Sequence, residues 1–197
     1  MKRVSRGVPG YNPLPYYILL GVLIAAMLAA WVLVATRTSD PAPVACGRAE
    51  VGRTVPSTEL FGEPVARPNE IPVRVLNANG EAGDATRVAD KLSTLGFMQH
   101  PEGAAGNDPV ITEQDLNCHG QLRFGPDSIA KAHTLHVLVP CFELIDDGRT
   151  DGTVDMALGR GYTGIEDAPS VTNALNELNN GADPATVDID SGSHEVC

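Results

Sequence analysis

The run Ile71-Pro72-Val73-Arg74-Val75-Leu76-Asn77-Ala78-Asn79-Gly80-Glu81-Ala82-Gly83 decides how this chain is read. Apolar and polar residues alternate from Ile71 to Asn77 and β-branched side chains recur, which is the pattern of a strand. Pro72 sits near its start, where a missing N–H is tolerated. Asn77 to Gly83 has the Asn and Gly content of a turn. Behind it Ala85, Val88, Ala89, Leu92 and Leu95 return at helical spacing, and Gly96 stops the helix. This is a β-loop-α unit.

Working outward, Phe97 to His119 is rich in Gly, Asn and Asp and reads as a strand remnant with a long loop. Gln121–Phe124 is a short alternating strand closed by Gly125-Pro126. Pro126 suits a helix's first turn, and Ile129, Ala132, Leu135, His136 and Val139 keep a helical stripe. Val137-Leu138-Val139 also fits a strand. Cys141–Ile145 and Thr153–Leu158 read as strands joined by a hairpin turn, Asp146 to Gly152. Val171, Ala174, Leu175 and Leu178 mark a further helix behind Pro169-Ser170. The order β-α-β-β-α-β-β-α predicts an α/β fold, a two-layer sandwich with a mixed sheet and about three helices, over residues 70–182. Residues 37–69, with five prolines and no apolar periodicity, read as a semi-extended extracytoplasmic stalk. Within it, Thr54 to Leu60 fits a short arm on the domain. Residues 183–197 form a C-terminal tail.

Tyr16 to Ala35 contains no charge, and 20 such residues in a helix span a hydrocarbon core. A transmembrane helix is expected over 16–36, with Tyr16, Tyr17 and Trp31 near its ends as interfacial aromatics. A cleaved signal peptide has a shorter apolar core. A lipoprotein site at Cys46 fits poorly, because Pro43 stands where an aliphatic residue belongs. Lys2, Arg3 and Arg6 precede the helix and Arg37 closely follows it. The bias puts residues 1–15 in the cytoplasm and the domain outside. Of the 14 basic and 25 acidic residues behind the net charge of −11, those four bases and no acid lie up to Arg37. The remainder carries −15, which argues against nucleic acid and against anionic lipid faces.

All four cysteines, Cys46, Cys118, Cys141 and Cys197, fall on the expected outer side, where an even count favours two disulfides. Three connectivities are open. The preferred one joins Cys118 to Cys141 and Cys46 to Cys197, the latter tying both ends of the domain and worth ~2–4 kcal/mol. Metal binding through Cys118, His119, His133, His136 and Cys141 is the rival, but paired ligands at short spacing are missing. No metal or cofactor is expected.

Two loops imitate known sites. Ala78-x-Gly80-x-x-Gly83 mimics a dinucleotide loop, yet Glu81 and Asp84 would repel a pyrophosphate there and suit the helix N-terminus unaided. Asp147-x-Arg149-x-Asp151-Gly152 mimics a calcium loop, with Arg149 at a ligand position and Leu158 in place of the bidentate Glu. Both read as turns. Ser128, Ser170 and Ser191 have no His and carboxylate at readable spacing, so no catalytic residue is proposed.

Val73, Val75, Asn77, Gly80 and Gly83, followed by the amphipathic helix and Gly96-Phe97, resemble the LytR C-terminal domain. Val154 to Gly159 with Gly161-Tyr162 resembles that family's last strand, so the likeness runs from Glu70 to Tyr162. The chain departs in Ala78, which replaces the first loop glycine, and in Asn- and Cys-containing sequence inserted before the second helix. In many relatives this domain is appended to a phosphotransferase domain, for which residues 38–69 leave no room. The layout is similar to that of envelope-integrity proteins of mycobacteria and their relatives. The resemblance implies a role in maintaining the cell envelope and brings no catalytic residues. Taken with the apolar anchor, the cysteines and the absent catalytic set, it leads to the expectation of a non-enzymatic, single-pass membrane protein that binds or organises an unidentified envelope protein or polymer. The alternative is a ligand-binding module for a wall glycopolymer or envelope lipid.

Overall fold

The computed structural model describes residues 14–35, 45–48, 50–60, 62–165, 167–187 and 189. They fall in two units, which divide between Asp40 and Pro41.

The first unit holds helix α1 (Leu14–Ala35), 22 residues without a charge. Its side chains from Leu14 to Trp31 are exposed on every face, as the absence of a polar stripe dictates. The helix is long and apolar enough to cross a membrane.

In the second unit the Ile71–Asn77 alternation becomes strand β2 (Pro72–Asn77), and the spacing behind it becomes helix α2 (Asp84–Thr94). Other elements of the unit are β1 (Arg53–Val55), β3 (Met98–Gln99), β4 (Ala105–Asn107), β5 (Gly120–Phe124), α3 (Ile129–Leu138), β6 (Glu143–Asp146), β7 (Val154–Leu158) and α4 (Pro169–Asn179). The strands form one mixed sheet in the order β1-β6-β5-β7-β2-β3, and β4 continues the edge beside β2. β2 runs parallel to β3, β4 and β7, and β5 parallel to β6; the β5–β7 and β1–β6 pairs are antiparallel. Two βαβ crossovers, through α2 and α3, therefore flank the central strand β7. The expected two-layer mixed sandwich is the observed fold.

Because side chains alternate along a strand, each strand contributes to two faces. Val73, Val75, Leu122, Phe124, Leu144, Val154, Met156 and Leu158 join the buried stripes of α2, α3 and α4 in the main core. On the other face Val51, Leu76, Ala78, Ile111, Leu116, Cys118, Ile145 and Ala157 make a smaller core beneath the loop after β4.

Two expectations change. Residues 37–69 were read as a stalk with an arm only at Thr54 to Leu60, but the described part from Ala45 onward packs on the domain. Val51, Val55, Leu60 and Val65 are buried, β1 pairs with β6, and the Ala66 N–H and C=O both bond the hydroxyl of buried Thr134 on α3, at 2.8 and 3.0 Å. Four anchoring residues at intervals of four or five, among prolines, produce no readable period. The acidic turn does not close a hairpin either. β6 and β7 lie on opposite sides of β5, and residues 147–152 cross the end of that strand. They pass so near Gly125 that a Cβ there would overlap the Arg149 carbonyl oxygen.

Candidate functional site

Val73, Val75 and Phe97 of the family pattern are buried in the main core. Asn77 and its loop are built differently. The Asn77 Oδ1 accepts the N–H groups of Asn79 (3.2 Å) and Gly80 (2.9 Å), and its Nδ2 donates to the Glu81 carbonyl (3.1 Å). Asn79 repeats the device: its Oδ1 accepts the Glu81 N–H at 2.8 Å, and its Nδ2 donates to Asp84 at 3.0 Å. Gly80 and Gly83 adopt φ of 83° and 80°, the left-handed region that side chains disfavour. The loop's N–H groups thus point at its own asparagines, not at a phosphate, which supports the turn reading over a nucleotide loop. At the far end of α2, Gly96 makes the stopping turn, and Asn179 of α4 donates to the Leu95 carbonyl at 2.9 Å.

The calcium-like run is likewise internally satisfied. Asp147 receives the Arg149 guanidinium at 2.6 Å, and Asp151 accepts the Thr153 hydroxyl at 2.7 Å and its N–H at 3.0 Å. The Thr153 N–H and then its hydroxyl hold the Asp151 carboxyl below its ordinary value. Arg149 also reaches Asp155 (2.8 Å), which Arg74 grips at 3.2 Å through both Nε and Nη2. Burial works against the Asp155 carboxylate, but the hydrogen bonds from Arg149 and Arg74 outweigh it and hold the group below its ordinary value.

A second ionic chain runs across the same sheet face. Arg123, only 2 % exposed, lies 2.7 Å from Asp108 and donates to the Gln121 side-chain Oε1 at 3.0 and 3.1 Å. Gln121 in turn donates to Glu143 at 2.9 Å, and Glu143 accepts from the Thr54 hydroxyl and the Cys46 N–H, both at 3.2 Å. Each of these side chains has a polar or ionic partner, as buried charge requires, although Asp108 Oδ2 meets Arg123 only as an ion pair and accepts no hydrogen bond of its own. Their chemistry is structural.

The cysteines pair otherwise than preferred. Cys46 is bonded to Cys118, with Cα atoms 5.0 Å apart, so neither the Cys118–Cys141 nor the Cys46–Cys197 bond forms. The reason is the arm: β1 brings Cys46 onto the second sheet face, beside the loop that ends at Cys118. Cys141 is itself disulfide-bonded, and Cys197 lies outside the described residues. Bonded sulfurs are not thiolate ligands. His133 Nδ1 faces the Glu63 carbonyl at 2.9 Å, and burial, then His133, pushes His136 down to about 4. No group of three metal-ligating side chains occurs among the described residues.

What remains is an open groove of about 560 Å³ beyond the carboxyl ends of the paired strands β2 and β7. One wall is the flank of α2, with exposed Arg87 and Lys91 beside buried Asp84 and Val88. The other is the segment after β7, with Tyr162, Thr163, Gly164, Ile165 and Asp167. Each wall follows from the sequence: the buried stripe Ala85, Val88, Ala89 and Leu92 turns Arg87 and Lys91 outward. The turn at Gly159, closed by the Tyr162 N–H at 3.1 Å, brings Tyr162 back beside α2. The Tyr162 ring meets Phe142 edge-on at 5.9 Å. Burial, then the Asp84 carboxylate, pushes its hydroxyl up to about 12. Arg87 is paired with Asp84 at 2.6 Å yet 76 % exposed. Lys91 makes no ion pair among the described residues. In the sequence Arg87 and Lys91 read only as the polar side of a helix.

The family model described as LytR cell envelope-related transcriptional attenuator matches residues 70–162. The chain is 34 % identical over 188 residues to the cell envelope integrity protein Cei of Mycobacterium tuberculosis, covering 88 % of this chain and 86 % of that one. It is similar, at a TM-score of 0.65 and 39 % identity, to the crystal structure of the soluble domain of a conserved hypothetical secreted protein from Mycobacterium marinum. That likeness covers 71 % of this chain and 92 % of the other. An apolar N-terminal helix and a folded domain like that of a secreted protein are the parts of a membrane-anchored envelope protein. On the sequence likeness, this chain belongs to the LytR C-terminal domain family, among the Cei-like cell envelope integrity proteins.

Proposed function

We propose that this chain is a non-enzymatic, single-pass protein that supports cell envelope integrity by holding an envelope component in the groove between α2 and the wall made by residues 162–165 and Asp167. The N-terminus is cytoplasmic and the folded domain extracytoplasmic, in keeping with three basic residues before the apolar helix. The observation that carries this reading is convergence: the loop at one end of the family match leads into Asp84, and Tyr162 at the other end faces it across the groove. The non-catalytic part rests on how the acids are used. Asp84 is engaged by Asn79 and Arg87, and Asp155 by two arginines, so neither is a free base.

A photo-crosslinking residue placed at Thr163 of the full-length protein in intact cells, with one at Arg53 as control, tests this. Thr163 is expected to capture one envelope protein or polymer reproducibly and Arg53 is not. Equal capture from both positions, or none from Thr163, contradicts the assignment.

A further inference from the structure

The lining of the groove narrows what it can hold. Asp84 and Asp167 offset Arg87 and Lys91, so the described lining of the groove carries no net charge, in a chain whose residues beyond Arg37 carry −15. A polyanion entering it crosses a repelling field that the groove does not reverse. An acyl chain finds no trough either, because Val88 and Ile165 belong to the main core and are only 5 % and 8 % exposed. What the walls offer instead is hydrogen bonding in both senses: carboxylate acceptors, guanidinium and ammonium donors, and the Thr163 and Tyr162 hydroxyls, which do both. The ring of Tyr162, fixed against Phe142, adds an apolar surface with a polar tip. The volume falls within the ~300–1,000 Å³ usual for ligand sites, and the open form admits a chain that continues beyond it.

We infer that the groove binds an uncharged, hydroxyl-rich glycan segment, with Tyr162 as its stacking surface and Lys91 and Arg87 as donors to sugar oxygens. Sugar hydroxyls both donate and accept, so a mixed neutral lining satisfies them without leaving a buried charge unpaired. This rests on the groove being the functional site.

Isothermal titration of the full-length protein in nanodiscs tests it, using chitotetraose for acetamido sugars and maltotetraose for plain hexoses. Polygalacturonate serves as the polyanion. At least one neutral oligosaccharide is expected to bind, and Lys91→Ala and Tyr162→Leu, which removes the stacking ring, each to weaken it tenfold or more with the circular dichroism spectrum unchanged. The inference is overturned if neither oligosaccharide binds, if both variants bind like the parent, or if polygalacturonate binds more tightly than either. Failure here, with groove variants still inactive in cells, removes the glycan and leaves the envelope reading standing. Glycan binding by a protein whose groove variants keep full cellular function does the reverse.

Discussion

The two faces of the sheet are held by different physics. Toward the helices, Leu122 on β5 and its neighbours are removed from water among other apolar side chains, a non-directional gain that grows with area. One residue further along the same strand, Arg123 is equally buried but among Asp108 and Gln121, and the arm and loop over it are joined by the Cys46–Cys118 bond. Buried ion pairs of this kind add little net stability over an apolar replacement, but breaking one is costly. The helix side tolerates a change of shape; the covered side demands matched partners.

Adjacent substitutions on β5 put the contrast to the largest test. Arg123→Ala leaves Asp108 buried and uncompensated and is expected to cost ~3–5 kcal/mol. Leu122→Ala is expected to cost ~2–5 kcal/mol through its cavity. The faces separate in the double variants: Asp108→Asn recovers part of the Arg123→Ala loss and none of the Leu122→Ala loss. Denaturant unfolding midpoints measure all four, and equal responses to Asp108→Asn would erase the distinction.

Next in size is the disulfide. Joint replacement of Cys46 and Cys118 by serine is expected to cost ~2–4 kcal/mol, for a bond across 72 residues of sequence. Peptide mapping under non-reducing conditions should link Cys46 to Cys118 and, by elimination among four cysteines, Cys141 to Cys197.

Acid separates the faces again. His136, beside the helix-side core, is pushed from 6.5 down to about 4 by burial and His133, so the unfolded chain takes up its proton first. Its contribution is complete above 6.5 and falls away toward 4, by up to about 3 kcal/mol. Asp155, on the covered face, has its carboxyl held below the ordinary 3.8, so its contribution is present above that value and lost as pH falls through the lowered one. Stability against pH should therefore decline in two steps, the first abolished by His136→Gln and the second reduced by Asp155→Asn, with Asp151 among the groups that carry the remainder. A single step insensitive to His136→Gln would refute this. The smallest effect belongs to Arg53, exposed at the β1 edge and 3.2 Å from Asp146; Arg53→Ala should cost ~0–1 kcal/mol in a thermal melt.

The β2-loop-α2 unit was legible because its periods change from two to 3.6 within a few residues and the Asn-Gly run marks the break. The covered face was not. Arg74, Gln121, Arg123, Glu143 and Asp155 alternate with apolar residues, as on a sheet open to water, and no local pattern says that a loop will close over them. Of the arm only Thr54 to Leu60 was read; its reach back to Cys46 and on to Ala66 was missed for the related reason that its partners lie far away in sequence, Thr134 and β6 among them. Cysteine pairing depends on that same docking, so spacing along the chain misdirected it. Of the groove, Tyr162 was visible through the family pattern, whereas Arg87 and Lys91 gain meaning only once residues 162–165 lie opposite them.

The most direct test of the functional claim is restoration of envelope integrity in a strain lacking this protein, by the full-length chain carrying both Arg87→Glu and Lys91→Glu. Growth under detergent stress is the readout, with membrane levels of the protein matched. Loss of restoration by at least tenfold in survival, beside full restoration by Arg53→Ala, is the predicted result. Full restoration by the groove variant would contradict the assignment of function to that groove.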